Sequence, residues 1–122
     1  MSDRFIANGV VNNNTTIPMR LKNSELSYGH WMTAPVQTIA PKSTAVLAFV
    51  GQGTSWTATG TQGWVMYSLG PDTDIMLCFD DPYRGSNNTN GTNSSNPKFA
   101  VWGSVPSSGS NVKFEYTVAA LA

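Results

Sequence analysis

Between residues 111 and 119 apolar and polar side chains alternate without a break. Val112, Phe114, Tyr116 and Val118 fall on one face, and Lys113, Glu115 and Thr117 on the other. A period of two belongs to an extended chain buried on one side, so this segment is predicted to be a strand. Trp64–Leu69 repeats the pattern, with Val65, Tyr67 and Leu69 set against Trp64, Met66 and Ser68. Thr44–Val50 and Ile75–Phe79 are nearly continuous apolar runs, too short for helices and bounded by turn residues, and read as core strands. Weaker strand signals lie at Arg4–Val11, Ile17–Ser27 and Phe99–Trp102. Asn, Gly, Ser and Pro punctuate the chain every ten residues or so. No 12-residue window carries helical i, i+3, i+4 apolar spacing free of Gly or Pro. The pattern predicts an all-β fold, a compact antiparallel β-sandwich with little or no helix, over a single domain spanning 1–122. Arg84–Pro97 (RGSNNTNGTNSSNP) has no apolar residue and reads as a long surface loop with freedom to move.

Composition narrows the function classes. Seven Lys+Arg balance seven Asp+Glu, and zero net charge removes the field with which a protein condenses on nucleic acid. Charged residues make up 11% of the chain, against roughly 25% in an average domain, so Ser, Thr, Asn and Gly must form much of the surface. The one cysteine, Cys78, cannot close an intrachain disulfide and reads as a buried small hydrophobe. The start, MSDRF, lacks the basic and apolar regions of a secretory signal, and no segment has the length of a membrane span. The expected location is therefore soluble, cytoplasmic or unconventionally secreted, and peripheral on target membranes.

Chemistry is sparse. His30 is the sole histidine and no G-x-S-x-G elbow presents a serine to it, so a hydrolase is not expected. The pairs Asp72/Asp74 and Asp80/Asp81 read as turns and strand ends. No ligand spacing suits zinc or calcium, and neither metal nor cofactor is expected. Sequons begin at Asn13, Asn14, Asn87, Asn90 and Asn93, as an Asn/Ser/Thr-rich surface produces by composition alone, and are not read as glycosylated. More informative are aromatics beside turn residues: Tyr28 and Trp31 around Gly29-His30, Trp56 within Gly51–Gly60, and Tyr83 after Asp80-Asp81-Pro82. Rings that join an apolar body to a polar tip suit a sugar face, a quaternary ammonium or the bilayer interface.

Three stretches in order, VVNNNTTIPMRLKNSELSYGHWMTAPVQTIAPKST, TATGTQGWVMYSL and DIMLCFDDPYRGSN, resemble the actinoporin-like superfamily, most nearly its aegerolysin-type members, over roughly residues 8–90. The resemblance implies a β-sandwich that binds membrane lipid, with a headgroup pocket at the Pro-aromatic corner. Carried over, that corner is Pro82 and Tyr83, with Asp80, Asp81 and Arg84 as polar neighbours; an Arg beside an Asp suits the two charges of a zwitterionic head. Actinoporins open with an amphipathic helix, whereas this chain starts with strand-like FIANGVV, so a pore is expected only with a perforin-like partner. The leading expectation is a non-enzymatic, sphingolipid-headgroup-binding protein, the targeting component of a two-part cytolysin, inserting Trp31 or Trp56. A fruit-body-type carbohydrate-binding lectin and a self-associating structural β-sandwich, a homo-oligomer, are the alternatives.

Overall fold

The computed structural model describes residues 4–54 and 60–121. Among these there is no helix. Strands β1 (Arg4–Asn13), β2 (Met19–Tyr28), β3 (His30–Thr33), β4 (Thr38–Ile39), β5 (Ser43–Thr54), β6 (Thr61–Leu69), β7 (Asp74–Asp81), β8 (Asn93–Ser94), β9 (Phe99–Ser104) and β10 (Asn111–Ala120) follow in chain order. They form two five-stranded sheets, ordered β3-β5-β1-β10-β9 and β4-β2-β6-β7-β8. The sandwich expected from the pattern is thus present. Its one departure from antiparallel pairing is β1 on β10, which run parallel from Ile6↔Asn111 to Asn13↔Val118. The first and last long strands therefore lie side by side within one sheet, a long-range pairing that local alternation does not encode.

The inner rows supply the core. Val65, Tyr67 and Leu69 of β6 and Ile75, Leu77 and Phe79 of β7 face Val112, Phe114, Tyr116 and Val118 of β10, all buried. At the centre Phe49 lies 5.2 Å from Phe79 and 6.2 Å from Tyr116, and Phe79 lies 5.9 Å from Phe114. Each such pair adds about 0.5–1.5 kcal/mol beyond its area of burial. Gly9 of β1 makes room for this column, because a Cβ there would overlap the Phe49 ring. The buried tyrosines satisfy their polar tips: Tyr116 Oη donates to the Cys78 carbonyl at 2.6 Å, joining the sheets, and Tyr67 Oη donates to the Val36 carbonyl at 2.8 Å.

Two apolar runs behave differently from expectation. In β5 the pairing with β1 shifts register between Gly9 and Val11, and this bulge leaves Val46 and Leu47 exposed while Ala48 and Phe49 are buried. In β7 only every second residue is buried, so Cys78 is half-buried on the outward face instead of in the core. Arg84–Pro97 is largely a surface segment, yet it is tied down by asparagine side chains. Asn87 is buried and donates from Nδ2 to the carbonyls of Pro106 (3.0 Å) and Gly109 (2.9 Å), while β8 adds to the edge of β7.

One end of the sandwich is closed by Asn13. Its Nδ2 donates to the carbonyls of Ile17 (2.9 Å), Ala40 (3.2 Å) and Ile39 (3.3 Å), and its Oδ1 accepts from Thr15 Oγ1 (2.7 Å) and Thr15 N (3.1 Å). Asn13→Ala removes these bonds from a fully buried position. It is expected to lower stability by about 2–3 kcal/mol in urea denaturation. Asn14→Ala, at the exposed neighbour, is expected to change it by less than about 0.5 kcal/mol.

Candidate functional site

The opposite end gathers the turns that carry the sequence-predicted residues. The β2–β3 turn crosses from one sheet to the other at Gly29, whose φ of 94° and close approach to the Gln52 carbonyl exclude a side chain. Tyr28 beside it is 50% exposed and points away from the core. Thr61 Oγ1 donates to the Tyr28 carbonyl at 3.3 Å and fixes the turn against β6. Tyr83 follows the half-buried Pro82 at the end of β7, is 39% exposed, and rests edge-on against Phe5 at 6.0 Å. The exposed Arg84 places its guanidinium 5.3 Å from the Tyr83 ring centre. Tyr28 pairs with Gln62 and Gln62 with Asp80, so the backbones of Tyr28 and Asp80 stand two strand spacings apart, about 10 Å, and Tyr83 follows three residues after Asp80.

Two predicted residues, Trp31 and Asp81, turn towards the core. Trp31 is half-buried, 5.8 Å from both Phe49 and Phe79, because β3 pairs at Trp31↔Gly51 and turns the indole onto the inner face. It caps the aromatic column. Asp81 continues the inward row of β7 and is fully buried, with neither carboxylate oxygen hydrogen-bonded to a described residue. Burial first, and the neighbouring Asp80 carboxylate second, push its pKa up from 3.8 to about 7. It therefore leaves Arg84 without an ion-pair partner among the described residues. Trp56 lies outside the described residues.

The outer face of the β4-β2-β6-β7-β8 sheet holds a feature the sequence reading missed. Trp64 pairs with Cys78 and Gln62 with Asp80, and all four point outward. The segment after β7 returns over them: Asp80 and Asn88 exchange backbone hydrogen bonds of 3.0 and 3.1 Å, and Asn88 Nδ2 donates to Asp80 Oδ2 at 3.5 Å. A cleft of about 320 Å³ results, lined by Trp64, Cys78, Gln62, Asp80, Asn88 and Asn90, with Ser27 at its edge. Burial raises the Asp80 pKa, and the Asn88 hydrogen bond partly offsets this. Burial likewise raises the Cys78 thiol. The signal was present in the alternation of β6, where Trp64 opposes Val65, but the facing strand and its register were not. No cluster of three or more His, Cys, Asp or Glu among the described residues is placed to hold a metal ion.

A family model described as Aegerolysin matches residues 4–119. Among solved structures, the lipid binding protein Nakanori superposes with a TM-score of 0.80 at 16% identity, covering 94% of this chain and 71% of that one. The RahU protein, solved in complex with a TRIS molecule, gives 0.65 at 16% identity over 98% and 96% of the two chains. IP-1A from Alcaligenes faecalis gives 0.52 at 14% identity over 97% and 94%. At these identities the likeness is one of fold. No curated protein matches the chain.

The buried Asp81 makes stability depend on pH. Between 3.8 and about 7 the folded protein keeps a proton that the unfolded chain has lost, so stability falls as pH rises through that window. Asp81→Asn is expected to flatten this fall and to raise the melting temperature on its alkaline side by roughly 4 °C, with little change at its acid end. Thermal melts across the window check it; a wild-type melting temperature that stays level or rises would remove the argument.

Proposed function

The chain belongs to the aegerolysin family, and we propose that it is a peripheral lipid-binding protein whose turn-lined end recognises sphingolipid headgroups as the targeting half of a two-part cytolysin. The observation that carries the reading is the outward projection of Tyr28 and Tyr83 at one end of the sandwich, with Arg84 over the second ring. Phenol rings of this kind bury their bodies among headgroups and keep their hydroxyls wet. The Arg84 guanidinium, without an ion-pair partner among the described residues, offers a forked donor to a lipid phosphate. Asp81 is buried and so withdrawn from that phosphate, and the exposed Arg84 is left to meet it.

The fold it shares with a lipid binding protein supports this reading. So does the RahU structure, in which a protein of the same fold holds an amine bearing hydroxyls. No helix among the described residues is long and apolar enough to cross a membrane. A perforin-like protein is the partner proposed for breaching the bilayer. With zero net charge, attraction to anionic lipid contributes little, and binding should persist as salt is raised.

Sedimentation with vesicles tests the proposal. Sphingomyelin-containing vesicles are expected to bind more protein than vesicles of phosphatidylcholine alone. Tyr28→Ala and Tyr83→Ala should each weaken that binding by about tenfold, the equivalent of one interfacial ring. Trp31→Ala should instead lower stability by about 3 kcal/mol, as loss of a packed indole does. Equal binding to both vesicle types, or binding indifferent to both tyrosine variants, rules the mechanism out.

A further inference from the structure

We propose that the cleft between Trp64 and the Asp80–Asn90 segment is a second binding site, for a single hexopyranose ring. The proposal goes beyond the lipid-binding reading and does not require it. The cleft volume, about 320 Å³, falls at the lower end of the range for small-molecule sites. Its apolar surface is one indole, Trp64, with Cys78 beside it. A pyranose has an apolar C–H face of matching shape, and its hydroxyls project around the rim of that face.

The polar groups suit those hydroxyls. Asp80 accepts; the Gln62 and Asn90 amides both donate and accept; Ser27 does the same through its hydroxyl. The side chains of Gln62, Asn90 and Ser27 make no hydrogen bond to another described residue, so their capacity is available to a ligand. Asn88 is spent on the scaffold instead. Its Oδ1 accepts from Asn90 N at 3.1 Å, and its Nδ2 reaches Asp80 Oδ2 at 3.5 Å. Thr92 Oγ1, accepting from Cys78 N at 3.0 Å, holds the same wall one turn further on. The wall is thereby set in place before a ligand arrives, which lowers the cost of binding.

Charge and aromatic count exclude the competing ligand classes. Among the described residues no Lys, Arg or His lines the cleft, so a phosphate or carboxylate would meet Asp80 with no described cation to neutralise it. A quaternary ammonium asks for a cage of several aromatic faces. Among the described residues Trp64 is the one ring presented to the cleft, since the Phe79 side chain points into the core. A neutral polyol ring is what remains. The ring arrives either on a glycolipid in the membrane the rim touches or on a free glycan, and the chemistry of recognition is the same.

Cys78 gives a local readout, because it is the only cysteine and lines the cleft. The full chain is titrated with methyl glycosides of glucose, galactose and mannose, and both tryptophan fluorescence and the rate of Cys78 alkylation are followed. Vesicles with and without glycosylceramide form a second arm. At least one glycoside is expected to bind saturably in the millimolar range or tighter and to slow alkylation. Asn90→Ala and Asp80→Asn, each verified as folded by a cooperative melt, should weaken binding by about tenfold or more. Asn14→Ala, exposed at the far end of the sandwich, should leave glycoside binding intact. Glycosylceramide-dependent vesicle binding that Asp80→Asn abolishes, without free-glycoside binding, supports the site and assigns the ring to a lipid. Free-glycoside binding supports it and assigns a soluble source. The proposal is overturned if neither arm responds, if phosphocholine protects Cys78 and the glycosides do not, or if glycoside binding is unchanged in both cleft variants.

Discussion

The pleat of β7 decides the chemistry at both of its faces. Because successive side chains of a strand point to opposite sides, Ile75, Leu77, Phe79 and Asp81 enter the core while Asp74, Met76, Cys78 and Asp80 face out. Two adjacent aspartates thus receive opposite environments: Asp81 is sealed without a hydrogen-bond partner among the described residues, and Asp80 forms the wall of an open cleft. Pairing with β6 fixes the register that puts Trp64 beside Cys78 and Gln62 beside Asp80. A slip of one residue would exchange the two faces, driving Cys78 and Asp80 inward and Phe79 into water. The inward row prevents this, since Leu77 and Phe79 are almost wholly buried. Burying each such side chain contributes about 1.5–3 kcal/mol.

The same core supports the rim. Trp31, Phe49 and Phe79 stack towards the end where Tyr28 and Tyr83 emerge, so exposed tyrosines sit on turns anchored by packed rings. The parallel β1–β10 pair places the start of β1 at that end too, with Phe5 edge-on to Tyr83. At the far end Asn13 makes the turn contacts that hold the sheets together by hydrogen bonds in place of rings. One end is built for rigidity in water. The other combines ring-lined turns, the exposed Arg84 guanidinium and a buried acid whose pKa is raised to about 7.

What the sequence disclosed follows from how local each property is. The alternation Val112–Phe114–Tyr116–Val118 and that of β6 are properties of a single strand, and the structure has both. The short β3, β4 and β8 carry too few residues to show a period. Pro82-Tyr83 was legible as a corner because Pro ends a ladder by itself. Trp31, Asp81 and Cys78 were not, since each depends on which face its strand turns to a partner distant in sequence. The bulge that exposes Val46 and Leu47 is likewise a mismatch between two strands and leaves no mark in one. Arg84–Pro97 lacks apolar residues, so composition marks it as surface. Its order comes from amides such as Asn87 meeting carbonyls about twenty residues away, which composition does not reveal.

The central claim is that the protein meets a lipid surface with the Tyr28 and Tyr83 end. Amide hydrogen exchange with and without sphingomyelin-containing vesicles tests it most directly. The account predicts slowed exchange at Gly29–His30 and Tyr83–Gly85, with no change at Asn14–Thr16 or Lys42 at the far end. Protection confined to the far end, or spread evenly over both, would contradict it.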